Sequence, residues 1–216
     1  MSNSGARWSP GDGTISWAAK RLTGGVLGPS QIYTASVVFD GAGNVIGLAS
    51  QPAAPALALE GASAHDWSPD GARMVINVAP YTGTASLWIA ELGSGVATLL
   101  PTTSPASAPV WSPDGSRIAF TTGWNGVSTL STIAPDGSNE RVLATLKPND
   151  DLSTSFRFPE WSPHGTHLVY QKSGAIVQGR QDVWRVGATG QGATNLTAEL
   201  DTRSQVGTPA SPLGWR

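Results

Sequence analysis

Cysteine is absent from all 216 residues. Its absence excludes a disulfide framework and every thiolate metal site, and it leaves the redox compartment unread, because a chain without thiols tolerates either one. Charge is scarce as well. Only 13% of residues are Asp, Glu, Lys or Arg, against about a quarter in ordinary soluble domains. The formal net charge is -2, and with no basic excess nothing points to a phosphate backbone, so nucleic acid is not expected as a partner. No apolar run approaches the roughly 20 residues that a membrane-spanning helix needs. The opening MSNSGAR lacks the apolar centre of a secretory signal. Helix punctuation is missing too, since no stretch joins a 3.6-residue apolar period to a cap and a closing glycine.

What is abundant is turn material, with 26 Gly and 16 Pro. Together with 39% hydrophobic residues, this suits one sizeable all-β domain in which short strands alternate with tight turns. The arrangement is repetitive. ARWSPGDGTISW begins at Ala6, HDWSPDGARMVI at His65, PVWSPDGSRIAF at Pro109 and PEWSPHGTHLVY at Pro159. The chain closes on SPLGWR, the first beat of a further copy. The marker tryptophans are Trp8, Trp67, Trp111, Trp161 and Trp215, and the shortest interval between them is 44 residues. That is about the length of one four-stranded propeller blade.

Each interval has the same internal order. Pro in Ser-Pro-Asp-Gly presets the first central position of a turn, Asp tolerates the second, and Gly supplies positive φ. Gly71, Gly115 and Gly165 are therefore expected at positive φ. Alternating runs follow (TISWAA, RMVINV, RIAFTT, HLVYQK), then further β-rich runs (QIYTASVVF, SLWIAEL, STLSTIA, DVWRVGA), each ending in a second turn signal such as PDGSN. Alternation of this kind argues for strands. A lone four-stranded meander cannot cover both of its faces, and radial stacking of such sheets gives a β-propeller. The repeated Trp would wedge between adjacent blades, each ring burying roughly 150–250 Å². The expected blades span about 6–50, 63–101, 106–146 and 154–197, with the start of a further blade at 206–216.

WSPDG at the head of a hairpin, LW or VW in the third strand, and APDGSNERVLATL in the last hairpin resemble the propeller repeat of TolB. This WD-like repeat also occurs in surface-layer propellers and in the non-catalytic domains of prolyl-oligopeptidase-type and tricorn-type proteases. The resemblance runs over roughly residues 6–216. It implies a propeller of four-stranded antiparallel blades and a periplasmic or cell-surface setting. About four blades are present, expected as an arc of a larger ring, the alternative being a four-bladed ring that the final strand closes beside the first blade. The chain departs from the motif in places. His164 stands where the motif has Asp, Gly11 is inserted in the first turn, Ser131 replaces the third-strand aromatic, and the first copy diverges between Arg21 and Ser63.

Most of the nine tryptophans read as core: the five markers, Trp88 and Trp184 in third strands, and Trp17 in a second strand. Trp124 differs, because it lies in TTGWNGVS, a loop between second and third strands. Such loops share a rim with the loops between blades. Trp124 with Asn125, Tyr81, the Asp150–Asp151 pair and Arg180 are therefore the candidate binding residues. Asp70, Asp114 and Asp136 are explained by turn hydrogen bonds. DGAGN and PDGSN have an incomplete ligand set for calcium, and the three histidines show no zinc spacing. No metal or cofactor is expected. GASAH at 61–65 lacks the last glycine of a nucleophile elbow and leads into a strand.

The function expected from these residues and from the resemblance is a non-catalytic scaffold that takes a protein or peptide through rim loops or a central channel. The alternative is the propeller of a prolyl-oligopeptidase-type serine hydrolase, for which the catalytic domain would lie elsewhere in the gene. A propeller lyase or glycan-binding protein would need clustered His, Arg and acidic groups. An arc with open blade faces would expose apolar side chains and self-associate.

Overall fold

A computed structural model of the chain describes residues 5–11, 13–49, 59–80, 83–124, 126–147, 153–174 and 181–198. Among these the regular structure is almost entirely strand, with no α-helix. The chain separates into two compact units, Met1–Pro101 and Thr102–Arg216. In the first unit, β1 (Arg7–Trp8), β2 (Thr14–Thr23), β3 (Val26–Phe39) and β4 (Val45–Leu48) form one antiparallel meander in chain order. A second meander comprises β5 (Ala62–Trp67), β6 (Arg73–Val78), β7 (Ser86–Glu91) and β8 (Val96–Leu100). The second unit repeats this plan. Its first sheet is β9 (Ala106–Trp111), β10 (Ile118–Trp124), β11 (Val127–Ile133) and β12 (Arg141–Leu146). Its second is β13 (Ser153–Trp161), β14 (His167–Gly174), β15 (Gln181–Gly187) and β16 (Thr194–Asn195).

The recurring Ser-Pro-Asp-Gly is a self-contained lock. The Gly71 N–H donates to the Ser68 carbonyl at 2.9 Å. Ser68 Oγ donates to Asp70 Oδ1 at 2.5 Å and accepts from the Arg73 N–H at 2.9 Å. Ser112, Asp114, Gly115 and Arg117 repeat the pattern. Gly71, Gly115 and Gly165 have φ of 69°, 71° and 67° as expected, a region in which a side chain is strained. The fourth turn keeps its fold with His164, because Gly165 N–H still reaches the Ser162 carbonyl and His167 N–H still reaches Ser162 Oγ. The Ser68 hydroxyl is the main cause that holds the Asp70 carboxyl below its usual range, and Ser112 does the same for Asp114.

Within each unit the two sheets are joined by the marker Trp of the later one, which reaches back to the earlier. Trp67 Nε1 donates to Ser16 Oγ at 2.8 Å, and Trp161 Nε1 donates to the Val110 carbonyl at 3.3 Å. Around these rings lie Ile32, Met74 and Ile76 in the first unit, and Leu143, Leu168 and Tyr170 in the second. Trp67, Trp111 and Trp161 are buried, as expected. Trp8 is a correction: it is 49% exposed and stacks on Phe39 at 6.2 Å. β1 is only two residues long and pairs with β2 alone, so the Trp8 ring lies over its own sheet against Phe39. Trp215 lies outside the described residues.

Two departures from regular pairing shape the first unit. The divergent stretch opens, after Arg21, with the far end of a long β2–β3 hairpin. Thr23 pairs with Val26 across Gly24–Gly25, whose φ values are 60° and 81°, as a type I′ turn requires. Within this hairpin the register shifts between Lys20↔Ser30 and Leu22↔Leu27. Gly28 and Pro29 thus oppose the single Arg21, a β-bulge that bends the ladder. Pro has no N–H to give to the ladder, so it settles at such a break.

Candidate functional site

The bend in this hairpin opens a groove of about 710 Å³ within the first unit, inside the range of about 300–1,000 Å³ typical of ligand pockets. One wall is the bent hairpin, with Lys20 from β2 and Leu27 and Pro29 from β3. The other wall is the second sheet, with Glu60 and Gly61 ahead of β5, Ser63 in β5 and Pro80 after β6. The floor is a chain of backbone hydrogen bonds. Gly61 N–H donates to the Ser30 carbonyl at 2.9 Å, and Ala79 N–H donates to the Gly61 carbonyl at 3.0 Å. Gly61 has φ of 86°, and a Cβ there would stand 2.7 Å from the Ala79 carbonyl oxygen. Only glycine lets the chain ahead of β5 run this close to the chain after β6.

The polar groups of the groove are few. Ser63 Oγ donates to Asn77 Oδ1 at 2.9 Å. Asn77 is itself buried and donates to the Ser86 carbonyl at 3.3 Å. The Ser63 hydroxyl is thereby aimed, and its lone pairs are left to accept a donor. Lys20 and Glu60 are exposed on the facing walls, and neither forms an ion pair with a described residue.

Deeper in the same joint lies a polar cluster that sequence reasoning missed. Ser16 Oγ is 2.7 Å from His65 Nε2 and accepts from Trp67 Nε1. The Ser–His distance would suit a nucleophile and its base. However, Ser16 is completely buried and His65 is 3% exposed, so no substrate reaches them and the pair is structural. Burial first, and the Arg7 charge second, push the His65 imidazole down to about 4, while a hydrogen bond with Ser16 opposes them. His65 Nδ1 has no hydrogen-bond partner among the described residues.

Of the residues expected on the rim, Trp124 ends β10, paired with Val127. Its side chain is not among those described. Asn125, Tyr81, Asp150, Asp151 and Arg180 lie outside the described residues. Tyr81 follows Pro80, which lines the groove. Among the described residues, no group of three or more His, Cys, Asp or Glu stands together to hold a metal ion. No described helix is long and apolar enough to cross a membrane.

No protein-family model matches the chain, and no curated protein matches it. Solved structures do. A TolB structure from Agrobacterium tumefaciens is similar over 88% of this chain and 63% of its own, with a TM-score of 0.68 and 21% identity. TolB from Acinetobacter baumannii is similar over 89% of this chain and 42% of its own, with a TM-score of 0.66 and 17% identity. A prolyl endopeptidase structure is similar over 88% of this chain and 28% of its own, with a TM-score of 0.60 and 15% identity. The chain thus spans less than two thirds of the length of these proteins. At such identities the shared property is the fold, and that fold is the β-propeller of TolB-like proteins, built here from four-stranded antiparallel blades.

Proposed function

We propose that the chain is a non-catalytic propeller scaffold that binds a protein or peptide segment through its rim. The observation that carries this reading is the groove between the first two blades. Its hydroxyl is oriented, its two flanking charges have no ion-pair partner among the described residues, and its one Ser–His pair is sealed beneath it. Propellers place variable loops on a rigid frame, and such loops carry recognition. Trp124, Asn125, Tyr81, Asp150, Asp151 and Arg180 are proposed as further rim contacts. Selection of a displayed library of short peptides on the purified chain tests the reading. Enrichment of one sequence class, with weaker retention by Trp124→Ala, is expected. No enrichment would overturn it, and turnover of a chromogenic ester or peptide by the chain alone would overturn its non-catalytic character.

The similarity to a prolyl endopeptidase supports a second reading, in which the propeller serves a serine hydrolase whose catalytic domain is encoded beside it. Sequencing the reading frame on both sides decides between the two. A downstream Gly-x-Ser-x-Gly followed by a His would favour the hydrolase.

A further inference from the structure

The groove carries a charge pattern that defines its occupant more closely, on the reading that the chain is a binding propeller. Lys20 stands on the hairpin wall and Glu60 on the opposite wall, with the apolar faces of Leu27, Pro29 and Pro80 lining the space. Opposite charges on facing walls favour a ligand that carries both signs over one that carries a single sign. One feature favours a peptide backbone: the Ser63 hydroxyl, fixed by buried Asn77, is an acceptor placed for an incoming N–H. The side-chain walls of the groove then set the sequence preference.

We propose that this groove binds an extended peptide segment that carries a carboxylate toward Lys20 and a cationic side chain toward Glu60, with apolar residues between them. Both charged residues are on the surface, so their reversal leaves the fold intact.

Fluorescence anisotropy of labelled peptides tests this directly. One peptide carries a glutamate and a lysine separated by two apolar residues, one has only the glutamate, one only the lysine, and one is neutral with glutamine at both places. The doubly charged peptide should bind tightest, and added salt should weaken it. Lys20→Glu should weaken the glutamate-only peptide about tenfold and leave the lysine-only peptide unharmed. Glu60→Lys should do the reverse, also about tenfold, since reversal turns a modest attraction into a repulsion. Thermal melts that match the unsubstituted chain establish that both variants are folded. Uncrossed losses, or none, would overturn the inference. If these four peptides fail to bind while the library selection succeeds, the groove assignment falls and the scaffold reading stands. If the library also fails, both fall.

Discussion

Acid should loosen the joint between the first two blades, and His65 sets the size of the effect. The imidazole is held neutral by burial beside Arg7, with its ionisation lowered from 6.5 to about 4. In the unfolded chain it takes up a proton at its ordinary value. The folded state therefore binds fewer protons than the unfolded state below pH 6.5, and stability falls as pH falls through that window. Above 6.5 there is no contribution, and below about 4 both states are protonated and the loss levels off. A lowering of roughly two and a half pH units corresponds to about 3 kcal/mol in full, of which about 2 kcal/mol is lost by about pH 5. The geometry explains the penalty. An imidazolium needs an acceptor at both nitrogens, and Nδ1 has no partner among the described residues. Urea unfolding of the chain across this pH range, compared with His65→Gln, reads the effect. The unsubstituted chain should lose stability steadily between pH 6.5 and about 4, whereas His65→Gln should be nearly flat there. The carboxyls of Asp70 and Asp114 are held below their usual range, so their losses come at more acid pH. Parallel profiles for the two proteins would refute the assignment.

Trp111→Ala removes a buried ring and should cost about 3–5 kcal/mol in chemical denaturation; a loss under about 1 kcal/mol would mean the ring does not hold its blade. Gly61→Ala and Gly71→Ala both place Cβ at positive φ, but only the first meets backbone, at 2.7 Å, against 3.7 Å to the Pro10 side chain at Gly71. Gly71→Ala should cost about 1–2 kcal/mol, and Gly61→Ala clearly more, as thermal melts will show. Asp114→Ala deletes the acceptor for Ser112 Oγ and the Ser116 N–H and should cost about 1 kcal/mol. Ala108, at φ of 50° before Pro109, should tolerate Gly, with Ala108→Gly neutral or stabilising by up to about 1 kcal/mol; a clear destabilisation would show that no strain is stored there.

The blades were legible because their turn chemistry is local. Ser68, Asp70 and Gly71 settle their hydrogen bonds within five residues, so the motif announces itself in the sequence. The tryptophan wedge was also legible in kind, but not its direction, which the Trp67 to Ser16 and Trp161 to Val110 contacts reveal. The groove and the polar cluster beneath it were hidden for different reasons. Gly24–Gly25 marks a hairpin turn, yet Gly28–Pro29 nearby breaks the alternation that would have extended the strands to meet it. The Ser16–His65 contact joins residues 49 apart in sequence, and no local pattern encodes a partner at that distance. His65 itself carried one usable signal: a titratable ring in the middle of a strand, preceded by the small residues Ala62, Ser63 and Ala64.

The backward reach of the marker tryptophans sets a direction for assembly. In both units the contact runs from a side chain late in the chain to a surface made earlier: Trp67 to Ser16, and Trp161 to Val110. The Phe156 N–H reaches back to Ser128 Oγ in the same sense. On a ribosome, where the N-terminal part emerges first, each sheet within a unit can thus form and wait, and the next strand to emerge brings the residue that seals it. The order of synthesis and the order of closure coincide. A substitution in a later innermost strand would then expose the blade already made, so the lesion would appear one repeat upstream of the altered codon.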